Sequence, residues 1–520
     1  MRKRNVFTAL AAAAMVLQLV GTAGPATAQT PPEVTFSFAP TSGPAGTKIL
    51  FTGAGCPHSA TATFDGLAFL TQGSATPIAP KEFVSNASGQ FTAEVDTTGL
   101  APGQFTTFVV CATTTKGGPG SPFTVTVPVI PGSTYFPLSP GRVLDTRDGT
   151  GTGGAVNPIG AGGTIDVAVT NRVGVPATGV TAVALNVAAT NATGPPSYLT
   201  VWPTGQSRPL ASNLNFVPGV SVPNLVIARV GIDGKVSLYN NLGSVNVVAD
   251  VQGYFLGDAT GSTYFPLTPA RVLDTRVGTG GTAAPVGPGG TIELKVTDAG
   301  GVPAASGTAV ALNVTATNVS GNESFLTVWP SGTSRPLASN LNFIQGQTVP
   351  NLVIVRVGDG GKISLYNNVG TVDVVADTQG FFAASAVPPA TPTGSQYFPA
   401  NPARILDTRN GVGVPGGATG QLGTASTLDL QVTGAGGVPA NATAVVLNVT
   451  VTESPGPDSY LTVYPTGTAR PLASNLNFVT GQTIPNLVIA KIGAGGKVTI
   501  YNNLGSTFVI ADVQGWFTAA

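Results

Sequence analysis

From about residue 130 onward, apolar and polar residues follow patterns that read as short strands. In "YLTVW" (198–202) and "KVSLY" (235–239) the character changes at nearly every step, while "TAVALNVAAT" (181–190) and "VVADVQGYF" (247–255) are largely apolar. Period-two alternation and brief apolar runs rich in β-branched residues mark strands. Over the first such region the pattern predicts eight of them, at 142–147, 164–170, 181–190, 198–202, 211–216, 224–230, 235–239 and 245–255. Breakers such as "GTGTGG", "ATGPP", "WPTGQSRP" and "VGIDG" separate them. The last two flank "NNLG", which reads as a hairpin turn. No window holds a helical period over three turns. The expected fold class is all-β, each unit a two-sheet antiparallel β-sandwich of jelly-roll type, with a closed barrel as the alternative.

The pattern then recurs. "STYFPLSPGRVLDTR" at Ser133 returns as "STYFPLTPARVLDTR" at Ser262 and "SQYFPANPARILDTR" at Ser395, and "RPLASNLNF" occurs three times. The copies close on "VVADVQGYF", "VVADTQGFF" and "VIADVQGWF". Each copy is far longer than the repeats that stack into solenoids and has the size of an ordinary domain. The expectation is therefore a string of beads, each able to fold alone. The domains run 132–256, 261–383 and 395–520, with a proline-rich linker at 384–394.

Ahead of the repeats, residues 29–131 carry further alternating strands and glycine turns. The only two cysteines, Cys56 and Cys111, each stand at a strand end, and a disulfide between them is expected in an exported chain. Residues 1–28 read as a secretory signal peptide: Arg2, Lys3 and Arg4, an apolar run, then a small-residue cleavage site at Ala26-Thr27-Ala28. No long apolar segment follows, so no membrane span is expected in the mature chain, which is placed outside the cell or non-covalently on its surface.

Composition narrows the function. Charged residues make up 9% of the chain, against roughly 25% in ordinary domains. Without Arg2, Lys3 and Arg4 the 23 basic residues fall to 20, against 23 acidic ones, which argues against nucleic acid as a partner. The one histidine, His58, lies in the first domain and reads as a turn residue. The repeats hold neither His nor Cys, so they contain no Ser-His-Asp or Cys-His nucleophile system. No metal site and no cofactor are expected; the calcium-like "DTRDGTG" does not persist, since Asp148 gives way to Val277 and Asn410.

Two constellations remain. Each copy places two arginines and an aspartate in its "R(V/I)LDTR" and a second aspartate near its end: Arg142, Asp145, Arg147 and Asp250; Arg271, Asp274, Arg276 and Asp377; Arg404, Asp407, Arg409 and Asp512. A glycosidase would use a pair of carboxylates, but Asp250 stands in an apolar strand rather than an open loop. These groups are read as structural ion pairs that close the module, because a carboxylate in a sheet core needs a partner. Strand alternation puts Asp145 and Arg147 on one face and Arg142 and Leu144 on the other.

The second constellation is aromatic. Tyr198 and Trp202, Phe325 and Trp329, Tyr460 and Tyr464 share a strand face, followed by Arg208, Arg335 and Arg470 in a Pro/Gly-rich loop with Asn213, Asn340 and Asn475 nearby. Flat rings beside amide and guanidinium donors suit a carbohydrate; the alternative is that the rings are sandwich core.

The strings "YFP", "R(V/I)LDTR", "SNLNF", "PNLV" and "(V/I)AD.QG(Y/F/W)F" resemble a β-module of exported proteins of high-GC Gram-positive bacteria. The opening "SGPAGT…GAGC" of the first domain resembles bacterial immunoglobulin-like domains. The resemblance implies a non-enzymatic, surface-associated role and names no ligand. The expected function is a secreted, non-catalytic surface or matrix protein in adhesion or envelope structure. The alternative is a multivalent carbohydrate-binding protein. Expected partners are cell-wall or extracellular polysaccharide, or other surface proteins.

Overall fold

A computed structural model of the chain describes residues 34–519 apart from 45–46, 59–63, 73–76, 98–99, 101–102, 112–116, 127–131, 305–306 and 385–393. The expected signal peptide and most of the proline-rich linker lie outside the described residues. Two compact units result, Met1–Val129 and Ile130–Ala520. Both are all-β. Among the described residues the only helical pieces are four single turns of 3-10 helix.

The first unit contains β1 (Thr35–Ala39), β2 (Ser42–Pro44), β3 (Lys48–Ala54), β4 (Gly66–Thr71), β5 (Ile78–Phe83), β6 (Phe91–Asp96), β7 (Gly103–Cys111) and β8 (Gly117–Thr126). One sheet is ordered β1-β3-β6 and the other β2-β8-β7-β4-β5, with β2 parallel to β8. This is the strand arrangement of an immunoglobulin sandwich. In "FTAEVD" Phe91, Ala93 and Val95 face the core while Thr92, Glu94 and Asp96 face solvent, as period two requires. Cys56 follows β3 in one sheet and Cys111 ends β7 in the other. Their disulfide, with Cα atoms 5.4 Å apart, ties the two layers together.

In the first repeat all eight expected strands form: β9 (Thr134–Asp145), β10 (Thr164–Ala168), β11 (Val180–Thr193), β12 (Ser197–Pro203), β13 (Leu214–Phe216), β14 (Val222–Arg229), β15 (Lys235–Asn240) and β16 (Ser244–Leu256). One sheet is ordered β14-β11-β16-β9 and the other β10-β15-β12-β13. That double Greek-key order is a jelly roll. The second repeat builds the same two sheets from β17 (Ser262–Asp274), β18 (Thr291–Lys295), β19 (Gly307–Thr317), β20 (Ser324–Pro330), β21 (Leu341–Phe343), β22 (Val349–Arg356), β23 (Lys362–Asn367) and β24 (Asp373–Ala384). The third uses β25 (Ser395–Asp407), β26 (Ser426–Gln431), β27 (Ala442–Thr452), β28 (Ser459–Pro465), β29 (Leu476–Phe478), β30 (Ile484–Lys491), β31 (Lys497–Asn502) and β32 (Phe508–Ala519).

The structure corrects the expected hairpin at "NNLG". β15 pairs with β10 and β12, whereas β16 pairs with β11 and β9, so the chain there crosses from one sheet to the other. A tight turn signal serves a sandwich corner as well as a hairpin.

The separate-bead expectation also gives way, because Ile130–Ala520 is a single compact unit around a shared centre. The β14-β11-β16-β9 sheet and its counterparts in the second and third repeats pack on both faces. Val183, Leu185 and Val187 fill the sandwich core, while Ala182 and Ala184 on the reverse face pack into the centre with Leu225 and Ile227. This double burial explains the unbroken apolar run of "TAVALNVAA". At the heart are three phenylalanines, Phe255, Phe382 and Phe517, whose ring centroids form a triangle with sides of 6.2, 6.3 and 6.4 Å. A tyrosine wedges between each neighbouring pair: Tyr135 lies 4.9 Å from Phe255 and 4.4 Å from Phe382. Tyr264 and Tyr397 repeat the arrangement around the ring. All six rings are sealed from solvent, each stabilising the body by about 2–3 kcal/mol through apolar burial. The Tyr135 hydroxyl donates to the Gln252 carbonyl, and a side chain at Gly253 would run into that ring, which accounts for the glycine of "QGYF".

Polar groups lock the ring in one direction. Asn351 in β22 donates to the Asn186 carboxamide oxygen of the first repeat at 2.9 Å and accepts from the Leu225 backbone N–H at 3.1 Å. Asn486 does the same to the second repeat through Asn313 and Leu352, and Asn224 to the third through Asn448 and Leu487. Asn186, Asn313 and Asn448 in turn donate to the carbonyls of Ser339, Ser474 and Ser212 on the adjoining repeat. At one end the opening strands link as well: Ser262 pairs with Tyr135, Tyr264 with Ser395, and Ser133 with Tyr397.

Candidate functional site

The "RVLDTR" motif begins with a β-bulge. Arg142 opposes Asp250 but Leu144 opposes Ala249, so Val143 is an extra residue and alternation resets across it. Both Val143 and Leu144 enter the sandwich core. The expected separation of Arg142 from Asp145 onto opposite faces is thereby corrected: the bulge brings them together. The Arg142 guanidinium donates through Nε and Nη2 to the two oxygens of Asp250, at 2.9 and 3.2 Å, and through Nη1 to Asp145 at 2.9 Å. Arg147, beyond the strand end, grips Asp145 with Nε at 2.9 Å, Nη2 at 2.7 Å and its backbone N–H at 3.0 Å. Arg271, Asp274, Arg276 and Asp377 build the same cluster, as do Arg404, Asp407, Arg409 and Asp512.

Burial raises the Asp250 carboxyl above its ordinary value against the pull of Arg142, and Asp377 and Asp512 follow. At Asp145 burial also pushes upward, but the bonds and charges of Arg147 and Arg142 outweigh it and hold the carboxyl low. Asp274 and Asp407 are likewise held low, chiefly by Arg276 and Arg409. Both oxygens of Asp250 are occupied by one arginine, so the two carboxylates form a neutralised clamp between first and last strands. Arg142 Nη2 reaches further, to the Leu337 carbonyl of the second repeat at 3.2 Å.

The aromatic constellation divides. Asn213, Asn340 and Asn475 are buried, and each accepts from a strand N–H at 2.7 Å (Val201, Val328 and Val463), so they fasten a loop and do not face a ligand. Trp202, Trp329 and Tyr464 are also covered. Trp202 and Trp329 donate Nε1–H to the carbonyls of Gln206 and Thr333. These side chains lie outside the sandwich cores, on the outward sheet face beneath the folded-back loop that carries "SRPLASN".

What stays partly accessible is a ledge of three groups: the arginines are exposed and the rings half-buried, except Tyr501, which is buried. Arg208 lies over the ring of Tyr239 at 3.6 Å, Arg335 over Tyr366 at 3.5 Å and Arg470 over Tyr501 at 3.8 Å. Beside each stack stands the ring of Tyr198, Phe325 or Tyr460, 6.2–6.5 Å away. Tyr239, Tyr366 and Tyr501 did not emerge from the sequence. The available signal was period two in "KVSLY", which places Tyr239 on the same outward face as Tyr198 only once β15 is known to pair with β12.

No family model and no curated protein matches the chain. Solved structures give distant similarities. The SGBP-B protein of a Bacteroides ovatus mixed-linkage glucan utilization locus, in complex with a mixed-linkage heptasaccharide, shares 11% identity over 64% of this chain and 70% of its own, with a TM-score of 0.15. A triple jelly-roll turret protein of an archaeal virus shares 9% over 75% and 90%, and a Salmonella alpha-2-macroglobulin 10% over 89% and 28%, each with a TM-score of 0.15. At these values none of them bears on what this chain does.

Proposed function

We propose that this is an exported, non-catalytic adhesive protein whose three-repeat body binds extracellular polysaccharide, and so fixes the protein to an envelope or matrix. The observation that carries the reading is the threefold occurrence of an exposed arginine stacked on a tyrosine beside a half-exposed ring on an outward sheet. An aromatic face accepts the C–H face of a sugar, and the guanidinium donors meet its hydroxyls. Fixed mutual positions suit a repeating polymer: weak sites that engage together gain avidity of about 10²-fold or more over one site. The Cys56–Cys111 disulfide fits an oxidising, extracellular compartment. The test is retention on immobilised neutral polysaccharides, comparing the intact chain with the triple variant Arg208→Ala, Arg335→Ala, Arg470→Ala. Loss of retention at unchanged melting temperature supports the reading, and equal retention refutes it.

A further inference from the structure

The three ledges are not equivalent, and the difference lies where one repeat meets the next. Tyr198 belongs both to its ledge and to the wall of a groove of about 290 Å³ at a junction of all three repeats. The first repeat lines it with Tyr198 and Asn215, the second with Gln347 and the third with Gln482 and Thr483. The corresponding groove at Tyr460 is smaller, about 180 Å³, and takes Gly346 and Thr348 from the second repeat. At the remaining junction, where β21 packs against β14, the ring is Phe325. The residue that aligns with Gln347 and Gln482 there is Val220.

We infer that the Tyr198 groove is the principal saccharide site of the chain, a composite of all three repeats that selects a neutral sugar unit. This rests on the proposed polysaccharide binding and makes it specific. The lining offers one phenol and three carboxamides, with no carboxylate, ammonium or guanidinium among the groove residues. The Ser197 and Thr483 hydroxyls are engaged with Asn240, Leu242 and Thr452, and the oxygens of Asn215, Gln347 and Gln482 each accept one internal hydrogen bond, from Ser212, Ile344 and Val479. Carboxamides donate and accept at once, matching sugar hydroxyls, and a charged ligand would enter without a counterion. The volume sits at the small end of ligand pockets, which begin near ~300 Å³. It therefore suits a ring or two of a longer chain that continues over Tyr198.

The test is titration calorimetry of the intact chain with four soluble probes: cellohexaose, mannohexaose, chitohexaose and the anionic hexagalacturonate. At least one neutral probe should bind with a stoichiometry near one, and hexagalacturonate should not. Tyr198→Ala should weaken binding about tenfold through loss of the stacking ring. Gln482→Ala, a change in a different repeat, should weaken it about fivefold through loss of one hydrogen bond, as should Gln347→Ala. Three equal sites, or indifference to Gln347 and Gln482, would overturn the composite site and leave the ledges standing. Binding of hexagalacturonate with equal strength would overturn the selection for a neutral sugar. No binding of any neutral probe would overturn the composite site and the polysaccharide reading together.

Discussion

Replacing Phe255 by alanine probes the shared centre from one repeat. The ring is fully buried and touches tyrosines of the first and third repeats, with phenylalanines of the second and third just over 6 Å away. A sealed Phe→Ala change costs about 4 kcal/mol, transfer and cavity together. If Ile130–Ala520 melts as one body, an unfolding entropy of ~2.1 cal/mol/K per residue gives about 0.8 kcal/mol per degree. Phe255→Ala should then lower a single transition by about 5 °C. Were the repeats independent, the same loss would fall on a third of the chain and shift its transition by roughly 15 °C, leaving two thirds of the heat in place. Scanning calorimetry separates the two outcomes. A split endotherm with most of its area unmoved would refute the reasoning.

Further consequences can be measured in the same way. Asn351→Ala leaves the Leu225 N–H without its acceptor and the Asn186 and Asn340 oxygens without their donor, at a cost of about 2–4 kcal/mol. A loss under about 0.5 kcal/mol in chemical denaturation would show the asparagine ring to be dispensable. Asp145→Ala should cost about 2 kcal/mol, less than a sealed ion pair, because Arg147 is 44% exposed and Arg142 keeps Asp250; an unchanged melting temperature would count against the clamp. The two carboxylate sets titrate in opposite directions. Asp145, Asp274 and Asp407, held below the ordinary 3.8, contribute stability that is complete above that value and lost as pH falls through their folded values. Asp250, Asp377 and Asp512, raised, contribute stability that is present below it and lost as pH rises through theirs. Thermal melts should therefore rise toward about pH 4 and decline as pH rises further through the raised values. Asp145→Asn should blunt the rise and Asp250→Asn the decline; identical profiles would contradict the assignment. Cys56→Ser with Cys111→Ser should destabilise the first unit by about 4 kcal/mol, given the 55-residue separation, with no change in the transition of the repeats.

Much of the fold can be read from local pattern. Alternation in "YLTVW" and "KVSLY", and the breakers around them, mark strands whose ends the structure moves by a few residues, apart from β9, which starts at Thr134. The clamp was legible because a carboxylate in an apolar strand needs a partner, and the scarce arginines supplied it. The bulge at Val143 was not, since nothing in "RVLDTR" distinguishes an extra residue from a regular one. The shared centre left a trace in "TAVALNVAA" and "PNLV", strings too apolar or too rich in buried amide for a strand with one wet face. Within a single copy that surplus is absorbed by the sandwich core, and only its placement against the neighbouring copies shows what it covers. Tyr239 escaped for a related reason: Arg208 and Tyr239 meet through the pairing of β12 with β15, which sequence separation hides.

The closed ring of repeats is tested most directly by taking one copy out of it. Residues 261–384 expressed alone would leave Tyr264, Phe382, Ala309, Ala311, Leu352 and Ile354 facing water, and Asn351 without Asn186. Sedimentation velocity with circular dichroism should find no stable folded monomer, only unfolded chain or self-assembled copies. A monomer that melts as cooperatively and as high as the intact body would contradict it.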